Sequence, residues 1–340
     1  EIPEVDAVIG TNEYDRIAEV IESCLNEDDK PVKCSEKPLL CEHERVRTTP
    51  GYTAFLKIAE GCDNRCTYCV IPSIRGNYRS RKVEDILDEA HKMAKDGVKE
   101  IIVIAQDTTR YGIDIYDEYA LPKLLRELCR IDGIEWVRIH YCYPELVTDE
   151  LIDVIAEENK ICNYLDIPIQ HASDNILKAM KRRSTNRSIT DKIAKLKEQI
   201  PDIHIRTTLI TGFPGETEED FDTLYERFAR LGVFAYSQEE GTVAGQMPNQ
   251  IDEEIKTERA DSIMRLQMEI SLEENRSKID TVQEVIVDEI DEDGNYIGRT
   301  RYDAPEIDNA VIFTGKKEHK PGDMVMVHID DAFDYDLAGT

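Results

Sequence analysis

The chain has 340 residues, and 42 Lys and Arg against 71 Asp and Glu give a formal net charge of −29. That length suggests about two domains, and 41% hydrophobic with 33% charged residues excludes a disordered chain. The acidity argues against nucleic-acid binding by bulk charge and favours a basic partner, while no apolar run approaches the ~20 residues of a membrane span.

Residues 1–48 read as a domain remnant and a linker. The first residue is Glu1 rather than Met, so a longer parent protein is expected. Val5–Gly10 reads as the end of a strand. Thr11 is placed to cap a helix through Tyr14, Ile17, Val20 and Ile21. From Asn26 to Pro50 the sequence is polar and broken, as a connector would be.

Residues 49–272 read as a second unit, in which strand-like and helix-like segments alternate. Strands are expected at Thr53–Ala59, Ile101–Ala105, Trp136–His140, Tyr164–Ile167, Ile203–Ile210 and Phe234–Ser237. Helices are expected at Val83–Lys95, Ala120–Cys129, Asp149–Glu157, Asn186–Gln199 and Glu218–Leu231. Six βα units predict an α/β fold with a parallel sheet, a partial (β/α)6 barrel short of the eight units that close. The ligand site then belongs at the C-terminal ends of the strands. Residues 252–280 read as one long charged helix with Ile255, Ile263, Leu266, Met268 and Ile270 on its apolar face. From Thr281 the period changes to two, with an Asp293-Gly294 hairpin signal. Residues 273–340 thus predict a small antiparallel β-barrel. Residues 281–340 hold 15 acidic and 5 basic side chains, a net of −10.

Nine cysteines, an odd number without a secretory leader in view, speak for a reducing compartment such as the cytoplasm. Cys62, Cys66 and Cys69 fall in the pattern CxxxCxxC directly after the first barrel strand. Three thiolates on one loop can hold three irons of a 4Fe–4S cubane and leave the fourth open, as a catalytic metal requires. The alternative is a zinc site or three ordinary buried thiols. His43 and His91 are the nearest histidines, and neither stands at a familiar zinc spacing.

CxxxCxxC after the first strand of a partial barrel resembles the radical S-adenosylmethionine superfamily. The resemblance implies that the open iron chelates S-adenosylmethionine and that an electron then cleaves its sulfonium. It places Tyr68 near the adenine, against the alternative of plain loop packing. Further stretches narrow the match: Gly61–Cys69 into Ile71-Pro72, Arg75–Arg81, Leu165–Ser173, Met180–Arg183 and Thr211–Thr217. In this order they resemble the methylthiotransferases, and the C-terminal barrel resembles their TRAM domain. Tyr236–Thr242 and Arg301–Glu306 are similar to the RimO type, whose target is the β-carbon of an aspartate in the twelfth small-subunit ribosomal protein. That type also implies a low-potential electron donor, a basic protein substrate and no direct nucleic-acid substrate. A barrel at −10 repels phosphates and attracts a basic protein. The family carries a second 4Fe–4S cluster on an N-terminal domain. Cys24, Cys34 and Cys41 do not read as its triad, so this chain is expected to cleave S-adenosylmethionine without completing the methylthiolation.

Gln170 ends the fourth strand and Arg206 alternates with apolar neighbours in the fifth. Both are candidates to reach the ribose or carboxylate of S-adenosylmethionine, and Arg183 to pair with a carboxylate bidentately. For each the alternative is a structural salt bridge. His171 reads as structural. Gln106 and Asp107, where relatives have Gly-Gly-Glu, are candidates for the methionine amino group. Gly212 lies in a stretch without the Lys-Ser/Thr of a P-loop, and its freedom would let backbone approach a ligand. The alternative is a βα turn with Thr217 capping the next helix. Cys129, Cys142 and Cys162 read as packing. Two rivals remain, a tRNA methylthiotransferase with the same core and a non-enzymatic zinc or scaffold protein.

Overall fold

The computed structural model describes residues 4–11, 13–26, 31–33, 48–224, 228 and 230–340. The expected connector lies largely outside these residues, as do Cys34, Cys41 and His43. Val8–Ile9 pairs in parallel with Val32–Lys33, and a helix spans Ile17–Asn26. Thr11 is not its cap. The Thr11 hydroxyl donates to the Ile74 carbonyl at 2.9 Å, and a 3-10 turn at Tyr14–Arg16 leads into the helix instead.

Six parallel strands form the centre. They are β1 (Thr53–Lys57), β2 (Glu100–Ile104), β3 (Trp136–Ile139), β4 (Ile161–Asp166), β5 (His204–Thr211) and β6 (Arg230–Ala235), and they pair in sequential order as one open sheet. Their helices are α1 (Val83–Lys95), α2 (Leu121–Cys129), α3 (Asp149–Glu157), α4 (Asn186–Gln199) and α5 (Glu218–Asp222). One face of each strand meets these helices. Leu56, Ile101, Val137, Leu165 and Leu209 pack there with Ile86, Leu124, Ile152 and Leu196. The other face is polar and lines the barrel interior: Glu100, Arg138, His140, Tyr164, Asp166 and Arg206. Thr217 caps α5 through a capping box with Asp220, as its position in the sequence predicts.

Two expectations change here. The helix expected through Leu231 stops at Asp222, and β6 begins at Arg230 rather than Phe234. Leu231 and Val233 pack on the sheet core, so a period-two segment paired along β5 overrides the helical reading. The long helix α6 (Glu253–Arg276) exists, but its buried stripe is Lys256, Arg259, Ile263, Gln267, Ile270, Ser271 and Asn275. Ile255 and Met268 are exposed. Most of these polar side chains find a partner, Arg259 on Glu216 and Glu218, Gln267 Nε2 on the Phe228 carbonyl and Asn275 on the Phe333 carbonyl, while Ser271 Oγ is buried without one.

The C-terminal barrel closes from β7 (Val282–Ile290), β8 (Tyr296–Thr300), β9 (Val311–Phe313), β10 (Met324–Ala332) and β11 (Leu337–Gly339). Its pairings are antiparallel except β9 with β11, which is parallel. The boundary expected at residue 273 falls inside α6. No described helix is long and apolar enough to cross a membrane.

This barrel docks on the starting ends of the six strands. Tyr52, just before β1, donates to the Asp288 carboxylate. Trp136 Nε1 donates to Glu284, and Arg301 reaches the Ile161 carbonyl. Tyr302 stacks on His204 at 4.3 Å, and Arg230 pairs with Asp303 at 2.8 Å. At the centre, Glu100 is fully buried between Arg138 (2.9 Å) and Arg299 (2.5 Å). These two cations hold its carboxyl down at about 2 against the cost of burial. Its charge stabilises the fold fully above an ordinary carboxylate value of 4.5 and progressively less as the pH falls toward 2. Glu100→Gln leaves the buried Arg138 guanidinium without a carboxylate and Arg299 with Asp288 alone, and is expected to cost about 3–5 kcal/mol in urea unfolding at pH 7. The loss relative to the parent chain is expected to shrink between pH 4.5 and 2.

Candidate functional site

The opposite ends of the strands carry the cysteine loop. A two-stranded ribbon, Ala59–Glu60 against Arg79–Ser80, forms its base. Gly61 follows at φ +83°, where a Cβ would lie 2.2 Å from the Asn77 carbonyl oxygen, so glycine is required. Cys62 N–H donates to the Gly76 carbonyl at 3.1 Å. Thr67 fastens the far side of the loop to the short helix Asp174–Ala179, through its N–H to the Met180 carbonyl and its hydroxyl to the Ala179 carbonyl. Ala244 N–H donates in turn to the Thr67 carbonyl at 2.9 Å.

Cys62 and Cys66 are buried and Cys69 is half-buried. Asn64 Nδ2 lies 3.6 Å from Cys62 Sγ and donates to Asp107 Oδ2 at 3.0 Å. That bond joins the loop to the end of β2. Cys66 Sγ stands 3.8 Å from the Tyr143 hydroxyl. Burial pushes the Cys62 and Cys69 thiols up, so a metal must displace their protons. Among the described residues no group of three or more His, Cys, Asp or Glu is placed to hold a metal ion, and the three cysteines of this loop are no exception. By residue type the loop offers three thiols and no fourth Cys or His, the ligand set of a 4Fe–4S cluster with one open iron rather than of a closed four-ligand zinc site.

The other sequence candidates divide. Tyr68 packs beside Ile176, Met180, Phe213 and Tyr236, next to the loop. Gln106 donates to Glu60 at 3.3 Å, and its Oε1 is buried without a partner. Gln170 sits at φ +72° and continues the sheet through its main chain, bonded to Thr208 and Ile210. Arg183 is exposed, and it is Arg182 that turns inward beside Cys66 and Tyr68. Arg206 is bound by Asp166 at 3.1 Å and Asp308 at 3.5 Å, which makes it part of the joint with the C-terminal barrel. Gly212 does not bare its backbone to a ligand. Its N–H donates to Glu216 Oε2 at 2.9 Å, and Lys256 fills the space where a Cβ would point. His171, fully buried on Glu216 at 3.2 Å, is structural as expected.

Arg182, Tyr143, Glu216 and His140 escaped the sequence reading. His140 ends β3 inside the barrel with an unpartnered Nε2. Burial and the charges of Arg138 and Arg206 hold its imidazole down at about 3, so it is neutral. Arg182 and Glu216 lie within the Met180–Arg183 and Thr211–Thr217 stretches without being singled out there, while His140 and Tyr143, both just after β3, carry no local motif.

Residues 56–228 match the Radical SAM superfamily and residues 279–340 the TRAM domain. The whole chain is 52% identical to the ribosomal protein uS12 methylthiotransferase RimO of Lachnoclostridium phytofermentans, over 79% of that protein. It is 49% identical to the enzyme of the same description from Clostridioides difficile, over 78%. This chain belongs to the RimO family of radical S-adenosylmethionine methylthiotransferases. Among solved structures it is similar to the radical S-adenosylmethionine methyltransferase TsrM of Kitasatospora setae. The TM-score is 0.46 at 19% identity, covering 56% of this chain and 39% of that one.

The family's cysteine loop depends here on Gly61. Gly61→Ala forces a side chain into positive φ and against Asn77, a strain on the order of 1–3 kcal/mol confined to the loop. Anaerobic reconstitution is expected to give several-fold less bound iron than the parent chain, with a melting temperature that falls by only a few degrees.

Proposed function

We propose that this enzyme methylthiolates the β-carbon of an aspartate in ribosomal protein uS12. The observation that carries the reading is the three-cysteine loop at the barrel mouth of a chain about half identical to RimO enzymes along its whole length. An unactivated C–H bond gives acid–base side chains no leverage, so the cofactor must do the hard step. When bound, a 4Fe–4S cluster supplies the electron that cleaves S-adenosylmethionine into methionine and a 5′-deoxyadenosyl radical.

Cys62, Cys66 and Cys69 would hold that cluster, with Asn64 and Asp107 fixing the loop against β2. Tyr68, Gln106 and Gln170 are assigned to S-adenosylmethionine, Gln106 through its unpartnered buried oxygen. The floor is closed to water by Tyr52, Trp136, Tyr164, Ile286 and Ala304, which pack together under the barrel. Methylated sulfur is assigned to a second 4Fe–4S cluster, and the electron to a low-potential donor in the cytoplasm.

The basic partner is assigned to the C-terminal barrel. Asp330, Asp331 and Asp334 are exposed there, on the far side of strands four to eight residues long. The cysteine loop lies at the opposite ends of those strands, so the partner must extend a segment from the barrel to the mouth. A tRNA substrate is disfavoured by the same net charge of −10 over residues 281–340.

Two measurements check this. Cys66→Ala is expected to lose most of its iron and to lower 5′-deoxyadenosine formation at least 100-fold. Unchanged turnover would refute the assignment. Asp330→Asn, Asp331→Asn and Asp334→Asn combined are expected to weaken uS12 binding several-fold and flatten its salt dependence, with 5′-deoxyadenosine formation unchanged. Tight, salt-dependent tRNA binding without affinity for uS12 would favour the tRNA reading.

A further inference from the structure

Buried arginines in this protein come with carboxylates. Arg138 has Glu100, Arg299 has Glu100 and Asp288, Arg230 has Asp303, and Arg259 has Glu216. Arg182 is the exception among the described residues. It is 8% exposed, its Nη2 donates to the neutral Pro168 carbonyl at 2.9 Å, and its Nε is buried without a hydrogen-bond partner. Its neighbours Tyr68 and Tyr143 are phenols that burial keeps protonated, and they and Cys66 influence it more than the carboxylate of Glu145 does. Glu145 instead accepts from Ser184 at 2.6 Å.

A buried guanidinium without an anion costs several kcal/mol. Its position is nonetheless closely fixed. The guanidinium lies 4.2 Å over the Tyr143 ring, whose hydroxyl is 3.8 Å from Cys66 Sγ. Stacking orients the planar group and leaves its edge free to donate. The anion it lacks is the one that Cys66 would help to form. Three thiolates outweigh the charge of an oxidised 4Fe–4S core, and an added electron makes the whole more negative still.

We infer that Arg182, clamped by Tyr143, is a positioning residue that compensates the charge of the cluster at Cys66 and raises its reduction potential. The inference rests on the assignment of Cys62, Cys66 and Cys69 as cluster ligands. It goes beyond that assignment in naming the cation that makes the electron acceptor reducible. A cation held beside the cluster favours the reduced form, because that form carries the extra negative charge.

The test uses the full chain, reconstituted anaerobically with iron and sulfide, titrated with titanium(III) citrate as the one-electron reductant and followed by EPR. Arg182→Met is expected to shift the midpoint potential to more negative values. Arg182→Lys, which keeps the charge but not the fork, is expected to stay closer to the parent. Without the cluster, Arg182→Met is expected to melt at or above the parent temperature, since an uncompensated buried charge has been replaced by an apolar side chain. If Arg182→Met binds no iron yet melts in that way, the compensating role stands. An unshifted potential in Arg182→Met overturns the inference. So does an equal loss of melting temperature in the iron-free Met and Lys variants, which would mark a merely structural residue. If the parent chain itself forms no 4Fe–4S signal, the ligand assignment falls instead.

Discussion

A single carboxylate organises this molecule. Glu100 opens β2, is wholly buried, and is satisfied by one guanidinium from β3 and another from the C-terminal barrel. The ionised group could not be buried there alone. Its two partners tie the starting ends of the barrel strands to the C-terminal barrel. Tyr52, Trp136, His204 and Arg230 repeat the tie from the starting ends of β1, β3, β5 and β6. The open parallel sheet is thereby closed at its base, and chemistry is left to the other end.

The division of labour follows from that closure. Interior side chains near the base are paired charges: Arg138, Glu100, Arg206, Asp166. Buried polar atoms without hydrogen-bond partners occur at both ends, Arg138 Nη2, His204 Nε2 and Arg299 Nη1 near the base and others toward the mouth. Gln106 Oε1, His140 Nε2 and Arg182 Nε are buried there without partners. Unsatisfied groups are tolerated where a ligand will satisfy them, and in this protein several of them gather on the side of the cysteine loop. The acidic C-terminal barrel spends several of its carboxylates internally, on Tyr52, Arg230 and Arg206. Others, Asp330, Asp331 and Asp334 among them, stay exposed.

Much of this was legible in the sequence, for reasons that can be named. The spacing of Cys62, Cys66 and Cys69 is local, and so is the Thr217 cap with Asp220 three residues on. Alternation of strand-like and helix-like runs marked all six strands to within a few residues, apart from the start of β6. What failed was information held by distant partners. Arg182 and Arg183 are neighbours, and nothing local says which turns inward, since Lys181 at φ +57° sets the direction. The buried stripe of α6 is mostly polar, so apolar periodicity found Ile263 and Ile270 in it but also chose Ile255 and Met268, which are exposed. Arg206 looked like a ligand of the mouth because its Asp308 partner comes from more than a hundred residues away. The parallel pairing of β9 with β11 has no sequence signature at all.

The account stands on three thiolates and an open fourth iron. The most direct measurement is Mössbauer spectroscopy of the chain reconstituted with 57Fe, recorded with and without S-adenosylmethionine. The account predicts a 4Fe–4S spectrum in which a single iron changes its isomer shift when the sulfonium compound binds, the other irons staying as they were. A spectrum indifferent to S-adenosylmethionine, or a site that takes up zinc and no cubane, would contradict it.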